Sequence, residues 1–288
     1  MAPNLRGAVF MVLSMAGFAV EDALIKAAAR VVPVGEVILC MAVAGVAFFG
    51  AMALRAGQPP VPRAALSGTM ALRSGFEVAG RLFYALAIAL TPLTATSAIL
   101  QASPLVVVLG AAVLFAEPVS RARWAAVVVG FIGVLIILRP GVEGFSMLSL
   151  LAVAGMLGFS GRDLATRAAP PALSNAQLGV AGFAMLGIAG AIILAVSGGA
   201  ALPDLRTAGL IAGAAVFGIA GYGALTVAMR TGAVSAVTPF RYTRLVFAMI
   251  LGVLVFGERP DGLTLLGSAL VVGCGLLALA GGRAPRRT

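Results

Sequence analysis

The sequence predicts an all-α integral membrane protein with about ten transmembrane helices in two inverted five-helix repeats. The first observation behind this prediction is composition. Of the 288 residues, 61% are hydrophobic and only 10% are charged, whereas a soluble domain carries about 25% charged residues. So few polar groups cannot cover a water-exposed surface, so most of the chain must face lipid. The second observation is an internal repeat, described below.

The first half of the chain contains five apolar segments of the length that a spanning helix needs, about 20 residues. These segments are 6–28, 33–54, 66–90, 92–115 and 121–139. Pro33 marks the turn after the first segment, and the run QPPVP at 58–62 separates the second from the third. Thr91 and Pro92 form a very short third turn. The five segments define a first unit, 1–141.

The second half contains five further segments of the same kind: 147–168, 174–197, 205–230, 232–256 and 262–281. The run RPGVEG at 139–144 joins the halves, and Gly198, Gly199 and Pro203 separate the seventh helix from the eighth. These segments define a second unit, 142–288.

An offset of 141 residues relates the two units. It carries Asp22 in GFAVED onto Asp163 in GFSGRD, and Glu117 onto Glu258. Because each unit has five helices, the second unit enters the membrane from the opposite side, and the repeat is inverted. The four acids are therefore expected to hold symmetry-related gating or structural positions.

Loop arginines predict the orientation, since cytoplasmic loops collect basic residues. One side collects eleven basic residues and the other five, which places both termini in the cytoplasm of a bacterium and the chain in its inner membrane. The eleven are Arg6, Arg55, Arg63, Arg73, Arg121, Arg123, Arg167, Arg230, Arg283, Arg286 and Arg287. The net charge of +10 is thus attributed to lipid headgroups and not to nucleic acid.

Histidine is absent and the two cysteines, Cys40 and Cys274, lie far apart in apolar runs. Neither a histidine metal site nor a Ser-His-Asp triad can form, so we expect no catalytic residue, no metal and no cofactor.

Charged residues inside the predicted helices are the candidate site, because a charge at a helix centre costs about 2.5–3.5 kcal/mol on insertion scales. Glu77 and Arg81 lie one turn apart on the third helix, and Arg241 and Arg244 flank Tyr242 on the ninth. Glu21, Asp22, Arg162 and Asp163 are the remaining charges of this kind.

Two interpretations of these charges stay open: ion pairs that join helices, and groups that bind substrate or gate its path. Arg241 and Arg244 have no acid within reach on their own helix, so their partner is Asp22, Glu77 or a ligand carboxylate. A proton-coupled mechanism would use Glu36, Glu77, Asp22 or Asp163.

Uncharged polar residues extend the candidate site. Gln101 and Ser103 precede Pro104 at mid-depth of the fourth helix, where they contact a ligand or where Ser103 bonds its own backbone. The offset maps Arg81 onto Tyr222 and Gln101 onto Tyr242, and substrate contacts are expected where the two copies have diverged.

Two segments, TPLTATSAILQASPLVVVLGAAVLFAEPVSRARWAAVVVGFIGVLIILRPG at 91–141 and TPFRYTRLVFAMILGVLVFGERPDGLTLLGSALVVGCGLL at 238–277, resemble the EamA repeats of the drug/metabolite transporter superfamily. The resemblance implies a ten-helix carrier with a central cavity lined by helices three, four, eight and nine. Similar members include amino-acid exporters and carriers proposed for S-adenosylmethionine. Trp124 is the only tryptophan, which departs from an aromatic-lined cavity.

We therefore expect a secondary transporter that exports an amino acid by alternating access. The alternatives are a carrier of another amphipathic metabolite such as S-adenosylmethionine, working in uptake or exchange, and a membrane-embedded enzyme. The acids are dispersed over several helices, which disfavours the enzyme. The expected partners are a small-molecule substrate and the lipid bilayer, and the expected state is a monomer or weak homodimer.

Overall fold

The computed structural model of the chain describes residues 3–114, 121–139, 146–167, 173–231 and 238–280. All regular structure in these residues is helical. The α-helices are α1 Pro3–Ala28, α2 Val34–Arg55, α3 Gly68–Leu90, α4 Leu93–Leu100, α5 Ser103–Leu114, α6 Arg121–Leu138, α7 Ser149–Arg167, α8 Asn175–Ser197, α9 Leu205–Thr231, α10 Thr243–Phe256 and α11 Gly262–Ala280. Two short 3₁₀ helices, Arg63–Leu66 and Thr238–Tyr242, precede α3 and α10.

Length and composition make this an all-α membrane protein. Within the described residues, five stretches are long and apolar enough to cross a bilayer: Leu5–Ala28, Val34–Arg55, Leu93–Leu114, Asn175–Ser197 and Leu205–Ala228. Helices α3 and α7 have 23 and 19 residues but carry three charged residues each. These two helices bring charge into the interior, and α1 adds Glu21 and Asp22.

Helix ends follow local chemistry. The side chain of Ser174 accepts a hydrogen bond from the backbone N–H of Gln177, and the Ser174 backbone N–H donates one to Gln177 Oε1, which makes a capping box at the start of α8. At the other end Gly198 adopts φ 88°, a left-handed conformation that glycine takes without a steric penalty.

The helices pack in pairs that exchange under the 141-residue offset. Helix α1 packs against α9 and, equivalently, α7 packs against α3, while α2 contacts α8 and α6 contacts α11. Equivalent glycines lie at the first two crossings. A Cβ placed on Gly17 would lie 3.3 Å from Gly221 Cα, and one placed on Gly158 would lie 2.5 Å from Gly80 N. Small residues thus let the helices of the two repeats approach closely.

The stretch Leu93–Leu114 agrees with the predicted fourth segment, but a turn interrupts its α-helix, and the described part of the ninth segment begins as a 3₁₀ helix. Helix α4 ends at Leu100, a turn covers Gln101 and Ala102, and α5 begins at Ser103. Pro104 explains the break, because its ring clashes with the carbonyl four residues earlier and it has no N–H to donate. In the second repeat, 3₁₀ structure ends at Tyr242, the position equivalent to Gln101, and α10 follows.

Candidate functional site

A buried carboxylate, Glu77 on α3, lies at the centre of a cluster of arginines. Its side chain is 1% exposed. Arg73 Nη1 lies 3.1 Å from Oε2, while Arg162 Nη1 and Arg81 Nη2 lie 3.5 and 3.9 Å from Oε1. Arg73, Glu77 and Arg81 are spaced four residues apart, so they share one face of α3. Helix α7 supplies Arg162 from the opposite repeat.

Asp163 extends this cluster. Arg162 donates from Nη2 to Asp163 Oδ1 at 2.8 Å and from Nε at 3.0 Å. The guanidinium groups of Arg162 and Arg81 also lie 5.0 and 5.8 Å from the ring centroid of Phe159. Asp163, predicted as a gating or structural residue, is therefore part of the interior charge cluster.

A second cluster joins α1, α3 and α10. Arg244 donates to Asp22 Oδ2 from Nη2 at 2.6 Å and from Nε at 3.2 Å, and the Tyr84 hydroxyl donates to the same oxygen at 3.0 Å. The Arg244 guanidinium lies 5.3 Å from the Phe18 ring centroid and 5.5 Å from that of Tyr84. Of the partners considered for Arg244, the structure thus brings Asp22 to it.

Arg241 differs from the other interior arginines. It is half-buried at the end of the 3₁₀ helix before α10. Its guanidinium makes no hydrogen bond and no ion pair with any residue that the structure describes, although it acts electrostatically on Asp163. Its carbonyl accepts a hydrogen bond from Gln101 Nε2 at 3.0 Å. Gln101 therefore links the turn between α4 and α5 to the 3₁₀ helix that precedes α10.

The three remaining predicted residues have different surroundings. Tyr222 on α9 lies beside Glu77, since a Cβ on Gly182 would lie 3.7 Å from Glu77 Oε1 and 3.8 Å from a Tyr222 ring carbon. Ser103 bonds across to Ser160 of α7, with 2.9 Å between the hydroxyl oxygens, and not to its own backbone as one alternative had it. Tyr242 is 4% exposed, and its hydroxyl has no hydrogen-bond partner within the described part of the chain.

Glu258 lies at the edge of the molecule, away from these clusters. Its carboxylate accepts hydrogen bonds from the backbone N–H groups of Leu93 and Thr94 at 2.6 and 3.0 Å, so it caps α4 of the other repeat. Lys26 Nζ lies 3.8 Å from Glu258 and also donates to the Thr91 carbonyl. Lys26, Thr91 and Glu258 line a cleft of about 350 Å³. Glu117, the equivalent acid, lies outside the described residues.

Comparison with known proteins identifies the architecture. The family model described as the EamA-like transporter family matches this chain twice, over residues 5–139 and 144–280. The chain belongs to the EamA-like transporter family. It is therefore a transporter-family membrane protein of the drug/metabolite superfamily, and the resemblance seen in the sequence is confirmed.

Curated relatives are transporters of small metabolites. Two riboflavin transporters, from Rhizobium johnstonii and Vibrio cholerae, are 28% and 30% identical over 192 and 176 residues, which is 67% and 61% of this chain. The aligned regions span only 63% and 58% of those two proteins. The pseudopaline exporter CntI of Pseudomonas aeruginosa is 29% identical over 276 residues, covering 92% of this chain and 93% of the exporter.

A crystal structure of another protein shares the fold of this EamA-like chain. It matches with a TM-score of 0.64 at 21% identity and covers 96% of this chain and 97% of the other.

Sequence reasoning missed two residues of the clusters in this EamA-like protein. Arg73 was assigned to the cytoplasmic edge, but the structure buries it against Glu77. Its spacing of four residues from Glu77 was the available signal. Tyr84, about two helical turns beyond Glu77 on α3, was not singled out. Glu21 was noted as an intramembrane charge but was not assigned to the site.

Proposed function

We propose that this EamA-like protein is a secondary carrier that exports a small carboxylate-bearing metabolite, an amino acid or a close relative, across the bacterial inner membrane. The observation that carries the proposal is Arg241. It is an interior cation in the 3₁₀ helix that precedes α10, and no acid in the described residues pairs with it.

The charge balance of the interior supports a substrate carboxylate. In the described part, five arginines face four acids, which leaves at least one positive charge in excess. The arginines are Arg73, Arg81, Arg162, Arg241 and Arg244, and the acids are Glu21, Asp22, Glu77 and Asp163. A carboxylate from the substrate would neutralise that excess, and guanidinium groups bind carboxylates with two parallel hydrogen bonds.

Arg81 is the second arginine suited to contact the substrate. Its closest contact with Glu77 is 3.9 Å, longer than those of Arg73 and Arg162, and its buried Nε has no hydrogen-bond partner in the described residues. Arg81 can therefore turn towards a ligand without breaking a short ion pair.

Glu77 does not suit the role of binding a substrate amine. Three arginines surround its carboxylate, and their positive charge would repel an ammonium group. The specificity we propose therefore rests on the substrate's carboxylate.

Alternating access is supported by the two-fold arrangement of the repeats and by a departure from regular α-helix at equivalent positions, the turn at Gln101 and the 3₁₀ helix that ends at Tyr242. Broken helices near the centre of inverted repeats are where such carriers hold their substrates. Outward transport is supported by the similarity to an exporter over almost the full length of both chains. We place the boundary between the units at residues 141 and 142 and both termini in the cytoplasm.

Export can be tested in proteoliposomes with a panel of labelled metabolites. The panel contains L-amino acids, the amines that result from their decarboxylation, S-adenosylmethionine and riboflavin. We expect exchange of carboxylate-bearing members only. Exchange of the decarboxylated amines at the same rate would contradict the proposal.

The variant Arg241→Ala tests whether Arg241 binds the substrate's carboxylate. A hydrogen bond to a charged group contributes about 1.5–3 kcal/mol, so the apparent affinity should weaken by about tenfold to a hundredfold. Arg206→Ala removes an exposed arginine from the start of α9 and serves as the matched control, with unchanged exchange. If Arg241→Ala binds the substrate with wild-type affinity, Arg241 is not part of the substrate site.

A further inference from the structure

Within the described part of the chain, the acidic residue Glu21 makes no hydrogen bond and no ion pair. Eight of the ten acids lie in the described residues, and seven of them accept a hydrogen bond or form an ion pair there. The seven are Asp22, Glu36, Glu77, Asp163, Asp204, Glu258 and Asp261. All four acids that the sequence suggested for proton coupling are among them. Glu21 makes neither kind of contact and is 5% exposed.

The offset between the repeats explains why Glu21 is left alone. Its equivalent is Arg162, and the residue facing it on α9, Gly218, is the equivalent of Glu77. Arg162 and Glu77 form an ion pair at 3.5 Å. At the α1–α9 crossing, Glu21 faces Gly218, which has no side chain to pair with it. A Cβ on Gly218 would lie 2.9 Å from Glu21 Oε1.

The charged groups that face Glu21 are already engaged. Asp22 adjoins it on α1, Arg244 approaches from α10 and Arg81 from α3, while α9 presents Gly218. Arg244 binds Asp22 and Arg81 contacts Glu77. An ionised carboxylate buried without a hydrogen bond is strongly disfavoured, and a proton relieves this cost without needing space for a ligand.

We propose that Glu21 binds and releases a proton during the transport cycle, and that its proton occupancy controls whether Arg81 is available to the substrate's carboxylate. The step forms and breaks only an O–H bond. Ionised Glu21 attracts Arg81, whose positive charge acts on it from α3. Protonated Glu21 releases Arg81. The proton and the carboxylate therefore bind together and leave together, so that the metabolite's outward gradient carries a proton with it.

The role of Arg81 in this inference rests on the proposed function, but the proton site can be tested alone. The probe is the proton itself, followed by infrared difference spectroscopy of the protein in phosphatidylethanolamine–phosphatidylglycerol vesicles. Wild type should show a carboxylic-acid carbonyl band that disappears as the pH is raised. Glu21→Gln should lack this band, and Glu36→Gln, which alters an acid bonded to the Ala201 N–H, should keep it. An unchanged band in Glu21→Gln overturns the proposal.

A second measurement links the proton to transport. For the amino acid that wild type exchanges fastest, the apparent affinity should tighten by up to about tenfold per pH unit of acidification. Glu21→Gln should bind at the tight value at every pH. A pH dependence that survives in Glu21→Gln overturns the coupling. A titrating band without exchange of any carboxylate would instead retain the proton site and overturn the proposed function.

If Glu21→Gln fails to insert into the membrane, Gly218→Ala serves as a second variant. The added methyl group presses on the Glu21 carboxylate, so it should shift the pH at which the band titrates. An unshifted band would contradict the assignment of the band to Glu21.

Discussion

The α3–α7 crossing and the α1–α9 crossing are equivalent in the two repeats, yet their charges differ. At the first, Glu77 meets Arg73, Arg81 and Arg162 within 4 Å. At the second, Glu21 faces Gly218. The backbone keeps the symmetry that gives a carrier two states of similar energy. The side chains have lost it, and this difference gives the α1–α9 crossing an acid that is free to titrate.

The largest expected effect comes from neutralising the acid at the paired crossing. Glu77→Gln leaves three arginines, one of them buried, around an uncharged amide, and removing one partner of a buried ion pair costs about 3–5 kcal/mol. The same change at the unpaired crossing, Glu21→Gln, should leave the stability nearly unchanged. Unfolding of both variants in mixed lipid–detergent micelles measures the difference. Equal losses in the two variants would show that the crossings do not differ as their contacts indicate.

A smaller effect is expected from the glycines at the same two crossings. Gly158→Ala places a methyl group 2.5 Å from the Gly80 nitrogen, whereas Gly17→Ala places one 3.3 Å from the Gly221 Cα. Overpacking costs about 1–3 kcal/mol, and Gly158→Ala should fall in that range while Gly17→Ala costs less. The melting temperatures of the two variants provide the comparison. A larger loss in Gly17→Ala would reverse the order of closeness seen in the structure.

The helices and their repeat could be predicted from the sequence because both leave strong local signals. Apolar runs of about 20 residues and the pairs related by an offset of 141, such as Asp22 and Asp163, need no knowledge of packing. The turn at Gln101 and the 3₁₀ helix that ends at Tyr242 were missed, although Pro104 carried the signal for the first. An apolar composition on both sides of a proline looks the same whether the helix kinks or ends there.

The site was only partly predictable because pairing is a property of three-dimensional contacts. Arg241 and Arg244 looked alike in sequence, but among the residues that the structure describes only Arg244 pairs with an acid, Asp22, which is 222 residues away. Glu21 could have been singled out by aligning the repeats, since the offset places it opposite Arg162. Its isolation, however, depends on Gly218, and that neighbour is known only from the packing of α1 on α9.

The smallest effect is expected at the α6–α11 crossing, where a surface link also breaks the symmetry. Arg139 donates to Asp261, whose carboxylate also accepts from the Thr264 N–H at 2.9 Å and caps α11. The equivalent positions, Ala280 and Ser120, carry no such charges. The hydrogen bond from Arg139 holds the pKa of the Asp261 carboxyl below its usual range. Its stabilisation is therefore present above the unfolded pKa of about 4 and is lost as the pH falls below that value.

Asp261→Asn should accordingly cost less than about 1 kcal/mol at neutral pH, since the pair is exposed to solvent. Asparagine also caps helices well, so the loss reports mainly on the charge. Melting temperatures of wild type and variant, measured at neutral pH and again below pH of about 4, should differ in the first condition and converge in the second. A difference that persists in acid would assign the stabilisation to the cap geometry and not to the ionised pair with Arg139.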